Sequence, residues 1–334
     1  MATTVNTAFS EFMRDYVNLD KDQTSVAKDS RGWLIGQIQA FPGKSELSFP
    51  NLYSDVDIYF GSFERKTKIR ALDDIDIMIG LSAEGGHYNA YSARIEITVP
   101  DSADKLKALC YDGTNALNSR KVVNKFVSCL SSVEHYKKAE IHRKQEAATL
   151  ALVSYPWCYD IVPAFFTKPD LLGKTYYLIP DGNGYWKKTD PRIDRQRAVD
   201  INQKHSGRVY NAIRIMKYWN RRATMPSVPS YLLECMLLNY YDSKASTASE
   251  WVDMEARDLL YYIHSAVYYQ VQDPKGIQGD LNQLSNDEKR KISARAYADY
   301  VKASEARQFE TNKDHKSSIK KWREVFGDNF PDYG

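Results

Sequence analysis

After Pro191 the chain turns helical. Six stretches, 192–204, 208–222, 231–241, 251–270, 287–309 and 316–326, carry apolar residues at helical spacing, with few strand signals between them. Helices of this kind bury their apolar stripes against one another, so the second half is expected to be a helical lobe. The first half differs. Phe9, Phe12, Met13 and Tyr16 mark one helix, and Trp33, Leu34 and Ile38 lie near the end of another before Pro42 and Gly43 break the pattern. Two segments, 55–61 (DVDIYFG) and 75–81 (IDIMIGL), alternate or turn apolar and β-branched, which predicts two strands joined by the charged link SFERKTKIRALDD. A helix near 118–130 and strands near 139–143, 149–153 and 157–163 follow, so this half is α/β or α+β. The final GDNFPDYG has no periodicity and predicts a flexible tail over 327–334.

Composition excludes more than it selects. With 43% hydrophobic and 27% charged residues the chain should fold, and 334 residues allow one large domain or two lobes. Lys and Arg number 46 against 43 Asp and Glu, too slight an excess for a surface that coats nucleic acid. Cys110, Cys129, Cys158 and Cys235 form no C-x-x-C pair, which argues against a zinc module or a disulfide framework and for a reducing compartment. No apolar run reaches membrane-span length and no secretory pattern opens the chain, so the expected location is cytoplasmic.

The chemistry concentrates in DDID. Asp74 and Asp76 are two apart in a predicted strand, which puts both carboxylates on one face with Cα atoms roughly 7 Å apart. Carboxylates that close repel, and divalent cations relieve the repulsion. Asp73 should point away from them. DxD alone is as readily a turn and a strand start. Gly61-Ser62, separated from Asp74 by eleven residues, adds weight, because a glycine permits close backbone approach and a helix start after it would offer N–H groups to phosphate. A third carboxylate, Asp160 in CYDIVPAFF, lies in an apolar strand where a lone charge is costly, so it needs a metal or a basic partner. Asp55 and Asp57 mimic the spacing without an upstream Gly-Ser and read as an exposed strand face.

Taken in order, Gly61-Ser62, DIDI at 74–77 and DIVP at 160–163 resemble the signature of polymerase-β-type nucleotidyltransferases. RIMKYWN at 214–220 and PSYLLE at 229–234 look like the helical-lobe motifs of cyclic GMP–AMP synthase, oligoadenylate synthase and their bacterial relatives, the CD-NTases. IPDGNGYWKKTDP at 179–191 looks like the linker of the bacterial branch. The resemblance spans about 60–234. It implies an α+β nucleotidyltransferase core with a mixed sheet over 1–190 and a helical lobe over 191–326, with the active site in the cleft.

Carried over residue by residue, the resemblance makes Asp74, Asp76 and Asp160 ligands of two Mg²⁺ ions, with Mn²⁺ as a substitute. Gly61 and Ser62 would meet the donor triphosphate, Lys217 and Ser230 would grip it, and Tyr231 would stack on a nucleobase. Lys217 also stands out without the family, because it falls about 40° from Ile213 on a helical wheel, near the apolar stripe, where an ammonium needs an anion or must snorkel. Phe60 departs from relatives that carry a polar side chain there. His205 stands alone between Asp160 and Lys217, so a zinc insertion is missing and activation by double-stranded DNA is not expected.

The implied function is the joining of NTPs, ATP and GTP foremost, into a cyclic di- or trinucleotide for bacterial anti-phage (CBASS) signalling. Asp160 would help accept the hydroxyl proton. A terminal RNA nucleotidyltransferase would use the same carboxylates but needs a long basic track, whereas SFERKTKIR and HRK are short and read as solvated. A small-molecule nucleotidyltransferase is usually smaller, and a dead nucleotide-binding scaffold fits poorly with a complete carboxylate set. The resemblance extends to CD-NTases that an E1/E2-type partner joins to other molecules through their C-terminal residue, which implies Gly334 as the conjugated position; a glycine there has no side chain to hinder adenylation.

Overall fold

The computed structural model describes residues 2–90, 94–223, 226 and 228–334. The helices are α1 (Val5–Phe12, continued by a π turn over Met13–Val17), α2 (Lys21–Ala40), α3 (Gly61–Glu64), α4 (Asp104–Lys107), α5 (Ser119–Ser131), α6 (Pro191–Lys204), α7 (Val209–Asn220), α8 (Ser230–Ser243), α9 (Val252–Ala266), α10 (Asn286–Thr311) and α11 (His315–Phe326). The strands are β1 (Ile58–Tyr59), β2 (Asp74–Gly80), β3 (His87–Tyr88), β4 (Ile97–Thr98), β5 (Glu140–Lys144), β6 (Ala147–Ala151), β7 (Cys158–Phe166), β8 (Tyr177–Pro180) and β9 (Trp186–Thr189). All six helices predicted after Pro191 are present. Local chemistry sets several starts: the Asn118 side chain accepts from the Arg120 and Lys121 amides, and Ser285 and Glu288 close a capping box on α10.

The chain divides into two compact units. One holds Lys21–Glu64 and Leu72–Arg192. Its seven-stranded mixed sheet runs β1-β2-β7-β6-β5, with β8 pairing β7 and β9 pairing β8; β2 and β7 are parallel and the other pairs antiparallel. Val56, Met78, Val162, Ala164 and Tyr177 form an apolar cluster on it. The other unit holds Met1–Asp20, Arg65–Ala71 and Ile193–Gly334, around a core that joins Phe9 and Phe12 to Met216, Trp219, Leu233, Trp322 and Phe330.

Several expectations change at this level. The partition differs from a single boundary near residue 190, because the N-terminal helix presents Val5, Phe9 and Phe12 to the helical core instead of the sheet. The link after Ser62 is not solvated: Thr67, Lys68 and Ile69 are buried in the helical unit. The strand expected over 55–61 shrinks to Ile58–Tyr59, flanked by a 3₁₀ turn over Ser54–Val56 and by Gly61, whose φ of +72° ends the extended run. Asp57 is correspondingly not on an exposed face. It is half-buried, it accepts from the Gly80 amide at 2.6 Å, and burial pushes its carboxyl up to about 6.

The 179–191 linker is largely the β8–β9 hairpin, turned by Asp181, whose carboxylate accepts from the Asn183 and Tyr185 amides. Nor is 327–334 a loose tail. Phe330 is fully buried, with ring centroids 5.0 Å from Phe9 and 5.1 Å from Phe12, and Tyr333 bridges Ala2. Aperiodic sequence hid this, because a single aromatic anchor needs no repeat. Among the described residues no helix is long and apolar enough to cross a membrane.

Candidate active site

Two adjacent strands carry the acidic residues. The parallel register of β2 and β7 sets Asp74 beside Cys158 and Asp76 beside Asp160. At the start of both strands exposure alternates: Asp74, Asp76, Cys158 and Asp160 are half-buried, whereas Ile75, Ile77, Tyr159 and Ile161 are fully buried. A period of two therefore places all three carboxylates on one face of the sheet, which further along is buried by Met78, Val162 and Ala164. Asp73, just before β2, is exposed.

Neighbouring elements shape that face. Thr149 on β6 is the register partner of Asp160 and donates its hydroxyl to Asp160 Oδ1 at 2.6 Å, which commits one oxygen and fixes the carboxylate plane. Gly61 follows β1 and Phe60 so closely that a Cβ on it would run into the Asp76 carboxylate. Only glycine tolerates this approach together with its positive φ. Ser62 sits in the first turn of the one-turn α3. Phe60 packs against the apolar cluster of Val56 and Met78.

The residues fit hard divalent cations. Three carboxylates on one sheet face offer oxygen donors of the type Mg²⁺ prefers, and like charges at strand spacing are relieved by a cation among them. Among the described residues no three acidic, histidine or cysteine side chains have drawn into a closed ligand cluster, so register rather than a preformed cage defines the set. Cys158 joins this face, unmarked by any sequence signal. Its Sγ donates to the Asp73 carbonyl at 3.3 Å, and burial, then Asp160 and Asp74, push the thiol up to about 11.

In the helical unit the expected phosphate lysine has an internal partner. Lys217 on α7 is 5% exposed, with Nζ 2.5 Å from Glu234 Oε2 and 3.2 Å from Thr67 Oγ1. Arg65 donates to the other oxygen at 2.6 Å, and the Thr67 hydroxyl donates to Oε2 at 2.9 Å. Burial pushes the Glu234 carboxyl up, but Arg65 and Lys217 outweigh it and hold it at about 2. Burial in turn lowers the Lys217 ammonium, and Glu234 opposes this. The anion demanded by the position of Lys217 is thus supplied within the unit by the last residue of PSYLLE, to which the motif alone assigns no role.

Ser230 opens α8 and is exposed. Tyr231, next to it, is half-buried and donates its hydroxyl to Asp194 at 2.7 Å. Gly334 is exposed and its amide donates to the Ala2 carbonyl at 3.3 Å.

Solved structures share this architecture. CdnC of E. coli MS115-1, in complex with HORMA-deltaN, superposes with a TM-score of 0.70 at 15% identity, covering 98% of each chain. Escherichia coli DncV in its 3'-deoxy GTP bound form gives 0.65 at 13% identity, covering 94% of this chain and 93% of that one. The fold is therefore the one that CdnC and DncV share. No family model matches the chain. A curated relative, a probable cyclic nucleotide synthase of Bacillus cereus (strain VD146), is 46% identical over 336 residues, which is 100% of this chain and 99% of the relative. The chain belongs to the cyclic nucleotide synthases, the bacterial CD-NTase family.

Proposed function

We propose that the enzyme joins NTPs, ATP or GTP among them, into a cyclic di- or trinucleotide, acting in the cytoplasm in anti-phage signalling. The observation that carries this reading is the shared face of Asp74, Asp76 and Asp160, fixed by the β2–β7 register, with the Gly61 backbone pressed against Asp76. The three carboxylates would hold two Mg²⁺ ions, or Mn²⁺ in their place. When bound, these ions supply charge neutralisation for the donor phosphates and a lowered pKa for the attacking 2′- or 3′-hydroxyl.

The chain's own residues do the rest. Asp160, oriented by Thr149, keeps its carboxylate plane fixed and accepts the hydroxyl proton. Gly61 leaves room for backbone N–H groups to approach the triphosphate, and Ser62 adds a hydroxyl. In the helical unit Ser230 presents a second hydroxyl, Tyr231 offers a ring for the base, and Lys217 contributes positive charge in a cluster of two cations, Arg65 and Lys217, against one carboxylate, Glu234.

Gly334 remains the proposed point of attachment for an E1/E2-type partner, supported by its exposure and tested by an adduct that disappears when Gly334 is deleted. The decisive experiment incubates the purified protein with all four labelled NTPs and Mg²⁺ or Mn²⁺, adds phosphatase, and identifies the product by mass. A resistant cyclic oligonucleotide is expected. Only linear products, or none, would overturn the reading.

A further inference from the structure

The loop between α9 and α10 contains another buried charge cluster of the helical unit. Asp273 organises it: Oδ2 accepts from the Ile277 and Gln278 amides at 3.2 and 2.9 Å, and Oδ1 accepts from the Lys275 amide at 3.2 Å. This turn aims Lys275 inward, leaving its side chain 4% exposed. Its Nζ lies 2.8 Å from Asp273 and 3.2 Å from Asp194 on α6. It also donates to the Tyr231 hydroxyl oxygen and stands 4.5 Å from the centre of the Tyr231 ring. The Tyr231 hydroxyl in turn donates to Asp194 at 2.7 Å. Lys275, Tyr231 and Asp194 thus form a closed chain of donors and acceptors around one aromatic side chain.

Neutralising the Asp273 turn would need only the Lys275–Asp273 pair. The reach to Asp194 and Tyr231 does something more. A tyrosine that must stack on a ligand otherwise loses rotamer freedom when the ligand binds, and a side chain already held at its hydroxyl and against its ring has less to lose. We propose that Lys275 and Asp194 are positioning residues that hold the Tyr231 ring as a preset platform for a purine or pyrimidine base. The inference rests on the reading of Tyr231 as the base-stacking residue, and it makes the Tyr231 hydroxyl important, whereas stacking alone would make Tyr231→Phe nearly silent.

The test is steady-state kinetics on the full-length enzyme. Lys275→Met should raise the NTP KM roughly three- to tenfold while kcat at saturation stays within about twofold, because preorganisation acts on binding. Lys275→Arg should restore most of the loss, and Tyr231→Phe should show a KM increase of the same kind. In a Tyr231→Ala background Lys275→Met should add nothing. Removing the ammonium leaves Asp194 and Asp273 buried without their cation; if that variant does not fold, Asp194→Asn carries the same test with Lys275 still paired to Asp273.

Three outcomes overturn the proposal. In the first, a folded Lys275→Met or Asp194→Asn enzyme has an unchanged KM. In the second, Lys275→Met has an equal effect with and without the Tyr231 ring. In the third, Tyr231→Ala itself leaves KM unchanged, which removes the stacking reading as well; a raised KM in Tyr231→Ala beside silent Lys275 variants removes the positioning role alone.

Discussion

The two units use buried and half-buried carboxylates in opposite ways. On the sheet, Asp74, Asp76 and Asp160 are brought to one face, so like charges are concentrated. Among the helices each carboxylate cluster meets cations: Glu234 takes Arg65 and Lys217, and Asp194 and Asp273 share Lys275. Opposite charges brought together complete a fold from within, although their desolvation leaves little net gain. Like charges on one sheet face are the arrangement that a divalent cation relieves, which is why that face is the candidate site, whereas the helical clusters read as fasteners and positioning devices.

Substitutions can break that contrast. The largest effect is expected from Asp76→Asn, which should cut product formation by well over about 100-fold, the scale of losing a metal ligand, and leave the melting temperature nearly unchanged. Product assay and thermal melting on one sample decide it; substantial turnover would remove Asp76 from the site. Glu234→Gln should do the reverse. It strands two buried cations and should cost about 3–5 kcal/mol of stability, read by denaturant unfolding. The pH dependence sharpens the point: with a folded pKa of about 2 against an ordinary 4.5, Glu234 contributes its full stabilisation above pH 4.5 and loses it as pH falls through 2, a slope the glutamine variant should lack.

Smaller effects test the edges of the comparison. Gly61→Ala should cost at least about tenfold in turnover, since the added Cβ collides with Asp76 and the positive φ is strained for alanine by about 1 kcal/mol. A neutral outcome would mean that the close approach is incidental. Asp57→Asn should stabilise the sheet unit by about 1 kcal/mol at pH 7, after allowing for the solvent that still reaches the carboxyl. The sign follows from a carboxyl raised from 3.8 to about 6: the folded state disfavours its charge, so the gain is full above pH 6, is lost as pH falls from 6 towards 4, and is gone below 4. Melting curves at pH 4 and 7 compare the two.

Periodicity located the six C-terminal helices and β2, β5, β6 and β7 to within a few residues, because those segments bury a stripe or a face that recurs along the chain. The β8–β9 hairpin and the Phe330 anchor were not legible, since a four-residue strand and one aromatic leave no repeat to detect. At the candidate site the spacing of Asp74 and Asp76 was sufficient to put them on one face, and the motif order added Asp160. Thr149 and Cys158 were invisible, because neither residue type marks chemistry and only cross-strand register brings them to the carboxylates.

By itself, then, the sequence determined what local chemistry can encode: helix and strand periods, the same-face pair Asp74 and Asp76, the glycine before Ser62, and a lysine at 217 that must meet an anion or snorkel. Tertiary structure alone decided which partners those groups meet. Glu234 for Lys217, and Asp194 and Lys275 for Tyr231, are contacts between residues distant in the chain. Burial makes the choice, because a charge or hydroxyl removed from water must find its partner wherever the packed core places one.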